Sequence, residues 1–326
     1  MTRNTVVGGR KALVIWNPNA GRTDESDAWL RALTDRPNTT ICQPENEDAG
    51  RACAQRAIDE GFDLLVAAGG DGTINSTLNA IVGAGSPIAL TALPLGTAND
   101  WCHSLAMPTD IEEAVKTLDS GPTRRFDIVE TKGPRGSRWY ANIATGGNGR
   151  RVTESLTDET KKRWGAMCYV RGVIELLDDL DSYDVRLSFD NGPQESFHIW
   201  NMFIANGRTT GGHVEVAPRA DLEDGLFDVV VIENGSLLDM AELATRLALS
   251  DYTKSDHVVY RQARHVKIDS TPSLGFSVDG DVLSDEPMEF VLHPQALEVV
   301  VGSSYERNLE GDGASGGSST AEFVGA

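Results

Sequence analysis

Residues Asp63–Ala68 read DLLVAA, and Gly69–Thr73 directly behind them read GGDGT. A short, nearly continuous apolar run is the texture of a strand buried on both faces, whereas a half-exposed strand would alternate. The glycines that follow permit a tight turn, and Thr73–Val82 has helical spacing. Strand, glycine-rich turn and helix in that order make an anion cradle: turn amides aim at the anion and the helix N-terminus adds positive potential. A carboxylate at Asp71 would repel bare phosphate unless a cation lies between them, so the loop points to a Mg2+-nucleotide. Taken by itself, the same loop reads equally as a connection in which Asp71 caps the helix through Thr73.

Outward from this unit the alternation continues. Ala12–Trp16 (ALVIW) is an apolar run stopped by Asn17-Pro18. Helical patterns lie near Glu25–Asp35, Asp48–Glu60, Ala98–Ala106 and Asp110–Leu118, with strand patterns at Thr39–Cys42 and Ile88–Pro94. Strand and helix in alternation predict an α/β, Rossmann-like unit with a parallel sheet covered on both faces. Asn17-Pro18-Asn19-Ala20-Gly21-Arg22 ends one strand and Pro94-Leu95-Gly96-Thr97-Ala98-Asn99-Asp100 ends another. Loops at the carboxyl ends of parallel strands line one crevice, so three polar, glycine-bearing loops converge on one site. No lysine occurs between Lys11 and Lys116, which excludes a P-loop lysine.

After Gly121-Pro122 the texture changes. Strand patterns appear at Arg125–Thr131, Arg138–Ala144, Tyr183–Phe189, Ser196–Ala205, Leu226–Glu233, Val258–Ile268, Gly275–Val278 and Met288–Leu292. Helical patterns at Trp164–Leu180 and Leu237–Leu249 interrupt them. This predicts a second, mainly antiparallel β domain. The expected division is 1–122, 123–302 and a disordered Gly/Ser-rich tail over 303–326. The apolar stripe of Trp164–Leu177 sits behind Lys161-Lys162-Arg163 and could dip into a membrane, but a stripe this broad is more often core-facing.

Charge narrows the function classes. The 326-residue chain has 49 acidic against 29 basic residues, a net charge of −20, and only 7 of the bases are lysine. Nucleic-acid binding needs a basic footprint, which is missing, and an anionic membrane would repel this surface at ordinary salt. An acidic, lysine-poor surface suits a salt-loaded cytoplasm, where self-repulsion is screened. No apolar run reaches the length of a spanning helix, and no signal-peptide pattern opens the chain, so the expected location is the cytoplasm. Cys42, Cys53, Cys102 and Cys168 form no C-x-x-C pair and read as reduced, mostly buried thiols. The six histidines show no zinc-site spacing. Gly311-x-Gly313-x-x-Gly316 and GASGG at 313–317 match nucleotide-binding and nucleophile patterns, but neither follows a strand.

GGDGT followed by PLGTAND resembles the catalytic domain of diacylglycerol kinases, in the branch of soluble prokaryotic lipid kinases related to sphingosine kinases. The likeness runs from about Lys11 to Val301 and includes NPNAGR, Ala205-Asn206-Gly207, Gly211-Gly212, Val216-Ala217-Pro218, Asp224-Gly225-Leu226 and Val278-Asp279-Gly280-Asp281. It implies a nucleotide-binding α/β domain of the NAD kinase and diacylglycerol kinase type, then a β-sandwich-like domain, with ATP and a lipid meeting between them. It also implies contacts to ATP from Asn17, Pro18, Asn19, Ala20, Gly21, Gly69, Gly70, Asp71, Gly72, Thr73 and Thr97. Asp71 and Asp100 would hold catalytic Mg2+. Asp224, with backbone oxygens of Asp221 and Leu226, would hold a second, structural metal, although Asp221 and Asp224 also read as turn residues. Asp281 would be the base that deprotonates the lipid hydroxyl. The family has glutamate there, so the reach is one methylene shorter, and an inactive homologue with a plain turn residue is the competing reading. At Gln43-Pro44 the family often places a nucleotide-contacting threonine, and that contact is unassigned.

The expected activity is ATP- and Mg2+-dependent transfer of the γ-phosphate to a lipid hydroxyl, with diacylglycerol the family default. A lipid acceptor implies working at the inner membrane face. NAD kinase shares the GGDGT element, but its second-domain motifs are not evident here. A nucleotide- or lipid-binding regulator that has lost catalysis is the alternative from another class. Similar kinases commonly dimerise, so the resemblance allows a homodimer.

Overall fold

The computed structural model describes residues 9–18, 20, 25–84, 88–134, 136–149, 181–248, 252–278, 281–282 and 288–308. The Trp164–Leu177 stripe therefore lies outside the described residues. The first layer is built from β1 (Ala12–Trp16), β2 (Thr39–Cys42), β3 (Leu64–Gly69) and β4 (Ala89–Pro94), all parallel, in the order β2-β1-β3-β4. Every residue of β1, β3 and β4 is buried, as strands covered on both faces require. Helices α1 (Ser26–Asp35) and α5 (Ile111–Ser120) pack together, and so do α2 (Glu47–Asp59) and α3 (Asp71–Ala84). The chain steps from β1 outward to β2 and then back across β1 to β3. The direction of winding thus reverses between β1 and β3, which opens a crevice at their carboxyl ends.

The second half contributes β5 (Thr123–Gly133), β6 (Gly136–Tyr140), β7 (Ile143–Gly147), β8 (Tyr183–Phe189), β9 (Gln194–Ala205), the short hairpin β10 (Thr209–Thr210) and β11 (Val214–Glu215), and β12 (Phe227–Glu233). After α6 (Leu237–Ala248) come β13 (Val258–Ala263), β14 (His265–Thr271), β15 (Phe276–Val278), β16 (Asp281–Val282) and β17 (Met288–Val300). Apart from one parallel pairing of β17 with β4, these strands pair antiparallel. Two cores lie in this half. One is built around Phe276, Phe290, Phe227 and Ile199, the other around Tyr252, Val230, Met240 and Leu243.

The last strand joins the halves. Its first part, Met288–Leu292, pairs with β14 and belongs to the second-half core. A register shift between His293 and Leu297 follows, and Leu297–Val300 then packs into the core of the first layer. One hydrogen-bonded sheet consequently runs from β2 to β16.

Several boundaries differ from the sequence expectation, each for a local reason. The run Arg138–Ala144 is two strands, because the Asn142 carbonyl between them accepts the N–H groups of Asn206 and Gly207. Val258–Ile268 also divides, at Arg264, where the Arg264 and His265 amides turn aside to one oxygen of Asp190. The helix expected from Ala98 starts only at Asp100, since Asn99 is left-handed with φ 54°. The tail is ordered further than expected. Tyr305 packs its ring on Phe126, and Arg307 and Asn308 make side-chain hydrogen bonds. Cys42 and Cys53 are joined as a disulfide between β2 and α2, which corrects the expectation of reduced thiols there. Cys102 is a free, buried thiol. No helix among the described residues is long and apolar enough to cross a membrane.

Candidate active site at the carboxyl edge of the parallel strands

Three loops meet at the crevice. The loop after β1 is tied to the one after β3 by the Asn17 side-chain amide, which donates to the Thr73 hydroxyl at 3.1 Å. Asn17 itself is held at the edge by its N–H donating to the Ala68 carbonyl, and Ala20 is buried behind it. Pro18 is exposed, while Asn19 and Gly21 lie outside the described residues. The β3 and β4 loops touch backbone to backbone: a Cβ added to Gly96 would lie 2.5 Å from the Gly70 Cα. Only glycine at position 96 permits that approach. Asn99 closes the β4 loop on itself, its side chain accepting from the Gly96 N–H and donating to the Gly96 carbonyl, both at 2.8 Å. Thr97 stands exposed on the rim.

α3 begins at Asp71, two residues earlier than its spacing predicts, so Asp71 lies in the first turn with Gly72 and Thr73. Here a carboxylate gains from the helix dipole. Nonetheless one Asp71 oxygen is buried and has no hydrogen-bond partner. Its pKa is pushed up to about 6, first by burial and then by the negative charge of Asp100, against the pull of the Trp101 and Asp71 amides. A buried, unpartnered carboxylate oxygen beside a second carboxylate lacks positive charge. These two groups therefore fit a hard divalent cation such as Mg2+.

Asp100 opens the short helix α4 (Asp100–Ser104) and is nearly inaccessible. Its carboxylate is not idle. It accepts the Gly212 N–H at 3.1 and 3.2 Å and the His213 N–H at 2.7 Å. Gly211, Gly212 and His213 all have positive φ (65°, 91° and 70°), and a run of that kind turns successive amides toward one anion. The β10–β11 hairpin of the second half is thereby clamped to the carboxyl edge of the parallel strands. The His103 and His213 rings stack beside the clamp, 4.3 Å between centroids. Burial, then His213 and Arg208, lowers the pKa of His103.

The second-half motif residues are mostly braces. Asn206 is fully buried and its amide donates to the Asp127 and Ala141 carbonyls. The Val216 carbonyl accepts from the Tyr252 hydroxyl. Asp224 accepts the Leu226 N–H at 2.8 Å, as a turn aspartate does, and Asp221 is 4% exposed and bound to Arg307. Asp281 lies on β16, paired with Val278 of β15 in a hairpin at the far end of the sheet. Its side chain is outside what the structure describes.

Three residues of consequence escaped the sequence reading. Asp127 is buried and accepts the Gly225 and Gln295 amides, each at 2.7 Å; a lone acid inside the apolar run FDIV was the available signal. His213 follows the Gly211-Gly212 pair directly, but nothing local distinguishes its amide. Arg307 had no signal, since it lies in the segment read as tail.

The family described as diacylglycerol kinase catalytic domain matches residues 11–131, and the YegS C-terminal NAD kinase beta sandwich-like domain matches residues 141–301. A diacylglycerol kinase of Staphylococcus saprophyticus is 28% identical over 300 residues, covering 89% of this chain and 95% of that protein. One from Staphylococcus aureus is 27% identical over 294 residues, covering 89% and 92%. Among solved structures, a diacylglycerol kinase from Bacillus anthracis superposes with a TM-score of 0.69 at 19% identity, over 92% of this chain and 100% of that one. Yeast NADH kinase superposes at 0.52 and 13% identity, over 98% and 91%. At such identities the structural likenesses establish the fold: an α/β nucleotide-binding type followed by a β-sandwich-like domain.

Proposed function

The chain belongs to the diacylglycerol kinase catalytic domain family, and from that premise we propose that it is an ATP- and Mg2+-dependent lipid kinase whose preferred acceptor is diacylglycerol. The observation that carries the reading is the unpartnered, buried Asp71 oxygen at the meeting of three glycine-bearing loops. A cradle for phosphates that includes an uncompensated carboxylate fits a metal-bound nucleotide better than a bare anion.

In this reading the amides of Gly70 and Gly72, the Thr73 hydroxyl and the N-terminus of α3 orient the nucleotide phosphates. Asn17, with Pro18 and Ala20 beyond it, and Thr97 form the walls beside them. Asp71 holds the metal, with Asp100 close by. Mg2+, when bound, offsets negative charge on the nucleotide phosphates. Asp100 has a second task that its hydrogen bonds support: it fixes the β10–β11 hairpin, and hence the acceptor half, against the nucleotide edge. Asp281 takes the proton of the acceptor hydroxyl. As it does so, the hydroxyl oxygen bonds to the γ-phosphorus, the bond from that phosphorus to the bridging oxygen breaks, and the electron pair leaves with ADP.

Steady-state kinetics with two sets of variants test these roles. Asp71→Asn is expected to lose at least roughly a hundredfold in turnover while unfolding at no lower a midpoint than wild type. Asp281→Asn is expected to lose kcat with ATP affinity retained, and Asp281→Glu to retain activity. An Asp71→Asn enzyme of unimpaired activity contradicts the nucleotide site. Equal losses of kcat and ATP affinity in Asp281→Asn contradict its role as base.

A further inference from the structure

The resemblance assigns a structural cation to Asp224 with backbone oxygens of Asp221 and Leu226, yet the acidic side chains of that turn already have partners within the protein. Asp224 Oδ1 is taken by the Leu226 N–H and Asp221 Oδ1 by the Glu223 N–H at 3.0 Å. Asp221 Oδ2 accepts two bonds from one guanidinium, the Arg307 Nε at 2.9 Å and Nη2 at 2.7 Å. A second guanidinium, of Arg264, donates to the Gly225 carbonyl at 3.2 Å. Two arginines thus contact the turn that a hard cation would have to enter.

We propose that Arg307 does the work of that cation: a guanidinium from the chain's own C-terminal segment neutralises Asp221 and holds the 218–226 turn closed without metal. The segment is built for it. The Gly302 N–H donates to the Leu105 carbonyl, just past the end of α4. The Tyr305 hydroxyl donates to Glu223, which also pairs with Arg124 at 2.8 Å. The Asn308 amide donates to the Pro218 and Ala220 carbonyls. Residues 302–308 therefore strap the turn to the helix that carries Asp100. Arginine suits the position because its planar fork can present two N–H groups to one carboxylate, which a lysine ammonium does not match. The Asp221 side chain is 3% exposed, so removing its partner would leave a buried carboxylate uncompensated, a costly change.

The test is thermal unfolding of the full chain at fixed high KCl, with EDTA or with millimolar Mg2+ or Ca2+. It includes the Asp71→Asn variant, in which the catalytic metal contributes nothing. We expect the Asp71→Asn midpoint to be the same with EDTA and with either cation. Arg307→Met should lower the midpoint by roughly 5 °C, equally in EDTA and in Mg2+. Adding Asp221→Asn to Arg307→Met should restore most of that loss, because the unpaired charge goes too. The proposal is overturned if divalent cations raise the Asp71→Asn midpoint and Asp224→Asn abolishes the rise. It is equally overturned if Arg307→Met unfolds at the wild-type midpoint. None of these readouts depends on kinase activity, so they stand apart from the functional reading.

Discussion

The acids of this chain carry quite different burdens according to what their oxygens meet. Asp127 is buried but accepts two backbone amides, whereas Asp71 and Asp228 each keep an oxygen that is buried without a partner. Asp228 is pushed up to about 7, chiefly by burial, against the pull of the neighbouring Tyr260 hydroxyl. An acid whose pKa is raised on folding stabilises the fold when protonated. Between the ordinary value of 3.8 and about 7 the unfolded chain has released a proton that the folded chain still holds, so stability falls as pH rises through that window. Asp228→Asn should therefore be more stable than wild type at pH 8, by on the order of 3 kcal/mol, with the gap closing toward pH 4. Unfolding midpoints across that pH range measure it, and a gap that does not widen with pH contradicts it. A lone acid inside FDVVV is the same signal that FDIV gives for Asp127, but its neighbours Tyr252 and Tyr260 arrive from elsewhere in the chain.

At the scale of elements, the strands most legible in the sequence were β1, β3 and β4, since strands buried on both faces leave unbroken apolar runs. Their loops were legible for a related reason: Gly96 is required by the close approach of two backbones. The end of β17 was not. His293-Pro294-Gln295 reads as a stop, yet it is a bulge with Gln295 at φ 51°, and the strand resumes in the other core. What holds the bulge is a distant carboxylate, Asp127, which also holds Gly225. Asp127→Asn would set an amide N–H against one of those donors, costing about 1–3 kcal/mol. A midpoint unchanged from wild type would deny Asp127 that bracing role. The hairpin clamp on Asp100 was equally hidden, because its two partners are 112 and 113 residues away in sequence. Gly212, at φ 91°, is its weak point. Gly212→Ala should cost roughly 1–2 kcal/mol and depress kcat more than ATP affinity. A loss confined to ATP affinity would place the hairpin with the nucleotide instead.

Among the described residues one large sheet shows two textures, parallel and buried where the nucleotide is proposed to bind, antiparallel where the acceptor is, with the β10–β11 hairpin a separate pair. A net charge of −20 spreads repulsion over both. Screening that repulsion should raise the unfolding midpoint steadily from low to multi-molar KCl; a flat or falling curve would remove the salt-adapted reading of the composition. The central claim concerns phosphoryl transfer, and one measurement meets it head on. Mg-ATP labelled at the γ-phosphate is offered with diacylglycerol, sphingosine or NAD at low and at multi-molar KCl, with Asp71→Asn as control. Label in phosphatidic acid, dependent on Mg2+ and lost in the Asp71→Asn enzyme, is the predicted result. Label on NAD alone, or no transfer to any acceptor despite tight ATP binding, would contradict it.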